Sequence, residues 1–267
     1  MSPDEGLVDP HYQNPLNSLS MHGIETLKKR IISGEKIVGA SVRMWSTQDD
    51  IKRTLGIRDY DFLAVDAQHS PFSEQTLTDF CELTNEIGIP TQLRIMHANQ
   101  AYLIGNMLDL GPSMIEIPQV EELETVHEAF KNFYYPQKGR RSWGPSRSPQ
   151  TNLDLDRLEY ARWWNDHGVL WMQIESLRGI DQVKEMSRAG ADIFSWGPND
   201  LAFDREAHPD HDLKTDDDCI EFVLSELTGT NSTLCLRTYG DDQIERYERM
   251  GATMFLDETG IASAPDV

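Results

Sequence analysis

The chain has 267 residues, enough to bury a sizeable core as one domain. Its formal net charge of −21 argues against binding to nucleic acid or an anionic membrane, because phosphate recognition relies on clustered Lys and Arg. No apolar run reaches membrane-spanning length, and the N-terminus lacks the charged-then-apolar pattern of a signal peptide. The cysteines, Cys81, Cys219 and Cys235, show no metal-ligand or redox spacing, which suits buried thiols in a reducing compartment. We therefore expect a soluble, cytoplasmic protein.

Strands and helices are predicted to alternate along most of the chain. Residues 1–20 are rich in Pro, Asn and Ser, which is typical of a tail or arm, and a helix over 23–32 follows. Apolar runs predict eight strands, over 36–44, 62–66, 91–94, 114–117, 169–174, 193–196, 233–237 and 253–256. Helices are predicted over 51–55, 73–87 with Ser73 as a cap, 99–110, 120–134, 153–167, 177–189, 216–227 and 241–250. A long loop, 136–149, interrupts this alternation.

This order of elements predicts a single (β/α)₈ TIM barrel over residues 21–260. An open doubly wound sheet fits less well, because no Gly-x-Gly-x-x-Gly turn follows the first strand. Few residues follow the last strand, so we expect a shortened C-terminus in which the closing helix is missing or very short. Residues 1–20 and 261–267 are then tails outside the barrel.

Two acids follow neighbouring predicted strands. Glu175 comes directly after the strand 169–174, and Asp200 comes shortly after the strand 193–196. Because both strands of a βαβ unit point the same way and lie side by side, these acids should share one rim. Carboxylates on one rim repel, and a hard divalent cation bound by oxygens is a common way to satisfy them. The sequence therefore predicts Glu175 and Asp200 as a metal pair.

Most of the other predicted strand ends also carry charged or polar side chains. The loops at the C-terminal ends of barrel strands build the active site, so these positions are candidates for chemistry. They are Arg43, Asp66 with His69, Arg94, Glu116 with Gln119, Gln173, Arg237 and Asp257. Acids, arginines and a histidine fit metal-assisted chemistry on an anionic substrate. No lysine falls at such a strand end, as an enzyme forming a Schiff base would need, and this favours the metal route.

Two of these positions allow two interpretations each. An Asp66 carboxylate that accepts from one ring nitrogen of His69 would make the other nitrogen a better base, but His69 could instead cap the following helix. The guanidinium of Arg94 suits a substrate carboxylate or an enolate oxygen, because its fork of donors binds two oxygens at once. A structural salt bridge from Arg94 to Asp66 or Glu175 is the alternative.

The loop over 138–147 concentrates positive charge in an otherwise acidic chain, with Lys138, Arg140, Arg141 and Arg147. Over the mouth of the barrel, this loop could steer and hold an anionic substrate. It could equally pair with an acidic neighbouring subunit, and the sequence ranks neither interpretation above the other.

With these residues in order, the chain resembles the HpcH/HpaI family of metal-dependent class II aldolases acting on 2-oxo acids. This family includes hydroxy-oxo-heptanedioate aldolase and macrophomate synthase. The matching pieces span about residues 35–260 and are 65–71 (Val-Asp-Ala-Gln-His-Ser-Pro), 92–94 (Gln-Leu-Arg), 108–111 (Leu-Asp-Leu-Gly), 117–118 (Ile-Pro), 135–136 (Tyr-Pro), 139–141 (Gly-Arg-Arg), Gly144, 173–175 (Gln-Ile-Glu) and 197–201 (Gly-Pro-Asn-Asp-Leu). The chain departs from the family at Gln68, which replaces a usual glutamate, and at Ser41, which replaces a common tryptophan.

The resemblance implies a role for each candidate residue. Glu175 and Asp200 would hold Mg²⁺, Mn²⁺ or Co²⁺. Arg94 would sit on the keto oxygen and stabilise the enolate, and His69, oriented by Asp66, would act as the base on the aldol hydroxyl through a water. The remaining substrate-binding residues would be Gln173, Gly197, Pro198 and Asn199 around the pyruvate group, and Asp109, which would reach a neighbouring subunit's site.

The activity that the resemblance implies is reversible cleavage of a 4-hydroxy-2-oxo acid into pyruvate, or an analogue, and an aldehyde through a metal-stabilised enolate. The enzyme is expected to be a homo-oligomer, a trimer or hexamer by resemblance. A second interpretation keeps the metal and the enolate but decarboxylates an oxaloacetate-like acid or condenses another electrophile. A third, prompted by Gln68 and the shortened C-terminus, is a non-catalytic protein that binds 2-oxo acids.

Overall fold

The structure, a computed structural model, describes residues 27–144 and 156–259. Several sequence predictions lie outside these residues: the N-terminal tail, the start of the first helix, the second part of the basic loop with Arg147, the start of the helix predicted over 153–167, and the C-terminal tail. Within the described ranges, no helix is both long and apolar enough to cross a membrane.

Eight parallel strands close into a barrel in chain order, as the sequence predicts. They are β1 (Ile37–Ser41), β2 (Phe62–Asp66), β3 (Thr91–Arg94), β4 (Met114–Ile117), β5 (Val169–Ile174), β6 (Ile193–Trp196), β7 (Thr233–Thr238) and β8 (Met254–Asp257). Each strand pairs in parallel with the next, and β8 closes the barrel by pairing with β1, where Ile37 lies opposite Met254. The (β/α)₈ fold is therefore confirmed.

Helices surround this barrel. Residues 27–32 are helical and form α1. The others are α2 (Gln48–Leu55), α3 (Glu74–Ile87), α4 (Ile104–Leu108), α5 (Leu123–Phe133), α6 (Arg157–His167), α7 (Leu177–Asp181), α8 (Val183–Arg188), α9 (Pro198–Ala207), α10 (Asp216–Leu227) and α11 (Asp241–Met250). A 3₁₀ helix, Ala98–Leu103, precedes α4. Ser73 caps α3 as predicted, since its hydroxyl accepts from the Thr76 N–H at 3.1 Å.

Besides shifts of a few residues at their ends, as at the starts of α2 and α5, the helices differ from the prediction in three places. The helix predicted over 99–110 is a 3₁₀ helix followed by the short α4, and the one over 177–189 is divided at Gln182 into α7 and α8. The helix α9 was missed, because Leu201 is its single buried residue and an amphipathic pattern is what reveals a helix in sequence. This omission matters, since α9 carries Asp200.

Buried side chains fill the interior of the barrel at the end where the strands begin. A cluster of buried side chains that includes Phe62 and Trp171, whose rings meet edge to face at 5.5 Å, occupies the space inside the strands. Leu27 and Ile31 of α1 belong to the same cluster, so the first helix covers the end where the strands begin. A second cluster joins the strands to the surrounding helices. The open volume therefore lies at the opposite end, where the strands finish and barrel enzymes place their chemistry.

Candidate active site

The structure brings Glu175 and Asp200 to the same rim of the barrel. In the parallel pairing of β5 with β6, Ile174 lies opposite Trp196, and the Gly197 N–H donates to the Ile174 carbonyl at 3.1 Å. Glu175 is the next residue after β5, and Asp200 lies in the first turn of α9. The strand pairing thus produces the arrangement of acids that the sequence predicts, while their role as metal ligands stays a prediction.

Glu175 is a buried carboxylate whose surroundings do not satisfy it. Its side chain is almost inaccessible, and its Oε2 has no hydrogen-bond partner in the described part of the chain. Burial, followed by repulsion from Asp200, raises the pKa of Glu175 to about 7. Arg94 opposes this shift, but its charge is the smaller influence. A buried acid with a free oxygen and a raised pKa needs a proton or a cation.

Gly197 makes room for the Glu175 side chain. A Cβ at position 197 would lie 2.4 Å from Glu175 Cγ and 2.6 Å from Glu175 Oε1, closer than non-bonded atoms approach. Glycine is therefore the residue that lets the chain turn from β6 into α9 beside this carboxylate. Pro198 occupies the first turn of α9, where its missing N–H costs nothing. Pro198 and Asn199 follow Gly197 directly, at the start of α9.

The two acids fit a hard divalent cation bound partly by other molecules. Within residues 27–144 and 156–259, no group of three or more His, Cys, Asp or Glu side chains is placed to hold a metal. A cation held by Glu175 and Asp200 would therefore take the other ligands of an octahedral ion from waters and a substrate. The unpaired Glu175 Oε2 is the observation that supports this fit.

On the β2–β3 side of the mouth, Asp66 and Arg94 form a two-point ion pair. Arg94 Nε and Nη2 donate to the two Asp66 oxygens at 2.8 and 2.7 Å, and Nη1 donates to Gln173 Oε1 at 3.1 Å. Burial raises the pKa of Asp66, but the hydrogen bonds and charge of Arg94 outweigh burial and lower that pKa overall. The structural salt bridge considered for Arg94 is present, and its third nitrogen reaches towards β5.

His69 does not meet Asp66 in the predicted way. The Asp66 carboxylate accepts from the backbone N–H groups of Gln68 and His69, at 2.8 and 3.2 Å, in addition to Arg94. Asp66 therefore holds the loop that carries His69 through its backbone rather than through the ring. The imidazole is exposed. The alternative in which His69 caps the following helix is wrong, because Ser73 caps α3.

A buried polar cluster underlies Arg94. Glu116 is 1 % exposed, lies opposite Arg94 in the β3–β4 pairing, and accepts hydrogen bonds from Gln92 Nε2 at 2.6 Å and from the Ser195 hydroxyl. Its charge raises the pKa of both Arg94 and Glu175. Glu116 is a candidate from the sequence, whereas Gln92 and Ser195 were not expected as its partners; the signal for each is a polar residue inside an apolar strand.

A cavity of about 170 Å³ opens at the mouth beside this cluster. Its charged lining residues are Arg43, Asp66, Arg94, Glu116, Arg237 and Glu258. Arg237 forms an ion pair with Glu258. Asp257, a candidate from the sequence, is instead structural: it is buried and accepts from the Tyr60 hydroxyl at 2.7 Å. Burial and this contact raise the pKa of Tyr60 to about 12.

Asp109 and the described part of the basic loop are bound to each other and to nearby helices. Arg141 Nη2 donates to Asp109 Oδ1 at 2.6 Å, and the Arg141 guanidinium lies 4.8 Å from the centre of the Tyr135 ring. Lys138 pairs with Asp166 at 3.1 Å, and Arg140 pairs with Glu128 at 3.5 Å. Each of these three cations therefore has an acid partner in its own chain, although Arg141 Nε and Nη1 are buried without a hydrogen-bond partner among the described residues.

Comparisons with known proteins show which family the chain is similar to. The sequence matches the model of the HpcH/HpaI aldolase/citrate lyase family over residues 43–215. A hydroxypyruvate/pyruvate aldolase of Roseovarius nubinhibens is 26% identical over 238 residues, covering 85% of this chain and 87% of that protein. A 5-keto-4-deoxy-D-glucarate aldolase of Shigella sonnei is 31% identical over 163 residues, covering 58% of this chain and 62% of that protein.

The fold also matches a solved structure. The crystal structure of an HpcH/HpaI aldolase from Desulfitobacterium hafniense shares the fold, with a TM-score of 0.74 and 22% identity. That match covers 90% of this chain and 97% of the other. The family match over most of the barrel, with the named relatives, leads to one conclusion. The chain belongs to the HpcH/HpaI aldolase/citrate lyase family and is an enzyme of the aldolase and lyase type.

Proposed function

We propose that the chain is a divalent-metal-dependent carbon–carbon lyase that reversibly cleaves a 4-hydroxy-2-oxo acid into pyruvate, or an analogue, and an aldehyde. The observation that carries this proposal is the buried Glu175 carboxylate. Its Oε2 has no hydrogen-bond partner among residues 27–144 and 156–259, and the charge of Asp200 helps to raise its pKa. The names of the relatives, a hydroxypyruvate/pyruvate aldolase and a 5-keto-4-deoxy-D-glucarate aldolase, support it.

Glu175 and Asp200 would hold the cation, Mg²⁺, Mn²⁺ or Co²⁺. When bound, such a cation polarises the keto group of the substrate and lowers the barrier to cleavage by several kcal/mol. The chain itself contributes two carboxylates whose negative charges favour binding of the cation, and Gly197 leaves the space in which Glu175 can reach it.

Arg94 is placed to stabilise negative charge that develops on the substrate oxygen. Asp66 occupies two of its nitrogens, so the guanidinium is held in one orientation before the substrate arrives. Its Nη1 is directed towards Gln173 and is available to a neighbouring oxygen. A donor fixed in advance stabilises a transition state without the cost of reorganisation. Gln173, Gly197, Pro198 and Asn199 would line the space around the 2-oxo acid.

His69 would take the proton from the hydroxyl group during cleavage and return it during synthesis. An exposed imidazole at the mouth can exchange that proton with water, directly or through one bridging water. Asp66 acts as a positioning residue, because it holds the backbone at Gln68 and His69.

Exchange of the methyl protons of pyruvate in deuterated water tests the proposal without knowledge of the aldehyde. We expect Mg²⁺-dependent exchange by the wild type, its loss in excess chelator, and its loss in Glu175→Gln. The control is Glu206→Gln, which removes an exposed acid on the same helix as Asp200 and should exchange as the wild type does. Undiminished exchange in excess chelator would contradict metal dependence.

The same assay separates the other interpretations. A non-catalytic protein would bind pyruvate and metal in calorimetry but exchange no protons. Turnover of oxaloacetate, compared with pyruvate plus a panel of aldehydes, distinguishes a decarboxylase from an aldolase. Assembly into a trimer or hexamer, with Asp109 reaching a neighbouring site, and a cytoplasmic location stay predictions, as does the division into tails and a barrel domain.

A further inference from the structure

Glu116 is a carboxylate enclosed inside the barrel. Its side chain is 1 % exposed, and it makes no ion pair with any residue in the described ranges. Arg94, on the next strand, already has a two-point ion pair with Asp66, and Arg237 is paired with Glu258. Removing a carboxylate from water costs free energy, and hydrogen bonds from neutral groups offset only part of that cost. The described chain therefore leaves this buried charge without a partner of its own.

The hydrogen bonds of Glu116 do not require a charged group. Gln92 Nε2 donates to one carboxylate oxygen at 2.6 Å, and the Ser195 hydroxyl donates to the other. The amide oxygen of a glutamine at position 116 could accept from either donor, on a side chain of the same length. A cluster that only joined β3, β4 and β6 could thus use a neutral residue, at a lower cost of desolvation.

Glu116 contacts β6 just below the rim that carries Glu175. Ser195, which donates to Glu116, lies opposite Gln173 in the β5–β6 pairing. Alternate residues of a strand face the same side, so Glu175 follows Gln173 on the inner face, roughly 6.6 Å further along. Burial and Asp200 are the larger causes of the raised pKa of Glu175, and the charge of Glu116 adds to them. The negative charge of Glu116 therefore acts on the rim from below.

We propose that Glu116 is a positioning residue of the cation site, which favours the divalent cation through its buried charge without being a ligand. A cation at Glu175 and Asp200 would balance this charge, and charges interact strongly where protein groups displace water. The same charge repels an anionic 2-oxo acid, so it favours binding of the cation first. This inference rests on the proposed function, since it assumes that Glu175 and Asp200 hold the cation.

Opposite effects on a cation and on an anion test the role of the charge. Glu116→Gln should bind Mn²⁺ about tenfold more weakly and, at saturating Mn²⁺, bind pyruvate about threefold more tightly, because a buried negative charge attracts a dication and repels a monoanion. Calorimetry measures both affinities without turnover. A purely structural role of Glu116 predicts weaker binding of both ligands, so it does not produce changes of opposite sign.

Two further variants make the test specific to a buried charge. Glu116→Asp keeps the charge on a shorter side chain and should bind Mn²⁺ within about threefold of the wild type. Glu206→Gln removes an exposed negative charge from α9 and should bind Mn²⁺ and pyruvate as the wild type does, because water and salt screen that charge.

The outcomes separate failure of this inference from failure of the proposed function. Absence of Mn²⁺ binding by the wild type would reject both. Mn²⁺ binding that is lost in Glu175→Gln but unchanged in Glu116→Gln would reject this inference alone, and so would weaker binding of both Mn²⁺ and pyruvate in Glu116→Gln. Loss of folding in Glu116→Gln, followed by urea titration, would also contradict it, because a neutral side chain should satisfy the cluster.

Discussion

Asp66 and Glu175 are both carboxylates at the ends of barrel strands, yet the chain treats them in opposite ways. Asp66 accepts from two nitrogens of Arg94 and from two backbone N–H groups, and its pKa is lowered. Glu175 has an oxygen without a hydrogen-bond partner in the part of the chain that the structure describes, has Asp200 as a neighbour, and has its pKa raised to about 7. The difference teaches that position on the rim does not decide the role of an acid. The role of each acid depends instead on whether the chain supplies a positive charge to pair with it.

This contrast divides the mouth into two halves. On the β2–β3 side, the chain satisfies its own charges and so fixes Arg94 in place. On the β5–β6 side, the chain supplies no such partner for the Glu175 Oε2 within the described residues, and under the proposed function a cation from outside would take that place. The β2–β3 side is then organised in advance, whereas the β5–β6 side would be completed by binding.

The largest expected effect on turnover comes from removing a negative charge on the β5–β6 side of the mouth. Glu175→Gln and Asp200→Asn should each lower turnover on the order of a thousandfold, because several kcal/mol of metal-dependent stabilisation are lost. Steady-state kinetics at saturating Mg²⁺ measures this loss. Glu206→Gln should stay close to the wild type. If either acid variant kept near-normal turnover, the two halves of the mouth would not differ as described.

A smaller effect is expected when the space beside Glu175 is filled. Gly197→Ala should lower turnover roughly a hundredfold, because the added Cβ forces the Glu175 side chain to move and catalytic geometry tolerates little displacement. Gly56→Ala, at a position with ordinary helical backbone angles, is the control. A rise in the Mg²⁺ concentration needed for half-maximal activity in Gly197→Ala alone would locate the effect at the cation.

On the β2–β3 side of the mouth, a single substitution should affect both the stability of the fold and the rate of turnover. Asp66→Asn leaves Arg94 without its charged partner and should lower the free energy of unfolding by about 1–3 kcal/mol. Turnover should fall by roughly 10-fold to 100-fold, since Arg94 and the His69 loop lose their anchor. Urea titration and kinetics on the same samples test both effects. Asp79→Asn, an exposed acid on α3, should change neither.

The smallest expected effect is on the pH dependence of the free energy of unfolding, measured without metal. The pKa of Glu175 in the folded protein is about 7 against an ordinary value of 4.5, so its stabilising contribution is present below about pH 4.5 and is lost as pH rises through about 7. The lowered pKa of Asp66 acts in the other direction, with its contribution lost as pH falls below the ordinary value of 3.8.

Urea titrations from about pH 5 to about pH 8 isolate the contribution of Glu175, because Asp66 stays ionised over that range. We expect Glu175→Gln to be less sensitive to rising pH than the wild type. Mg²⁺ should restore wild-type stability at the upper end. An identical pH profile for the two proteins would show that Glu175 does not carry this buried charge.

Much of the fold follows from the sequence because the buried strands are short apolar runs. Five strands have the predicted bounds: β2, β3, β4, β5 and β6. The α9 helix was not predicted, because Leu201 is its single buried residue and it shows no amphipathic pattern. Pro198 and the acid Asp200 in its first turn are nevertheless signals for the start of a helix. Parallel pairing alone was enough to place Glu175 and Asp200 on one rim.

The partners within the site could be predicted only as alternatives. The spacing of Asp66 and His69 suggested a contact between carboxylate and ring, and a salt bridge from Arg94 to Asp66 or Glu175 was one of two interpretations of Arg94. In the structure Arg94, on the next strand, donates to both Asp66 oxygens. The pairing of Arg141 with Asp109 likewise joins distant parts of the chain. Such contacts depend on the register of strands and the direction of side chains, which a linear pattern does not specify.

Direct titration of the protein with Mn²⁺ tests the central claim most closely, because it counts the bound cation and needs no substrate. The account predicts one ion per chain for the wild type and for Glu206→Gln, with affinity lowered at least tenfold in both Glu175→Gln and Asp200→Asn. Wild-type affinity in either acid variant would contradict the claim that these two carboxylates share one cation.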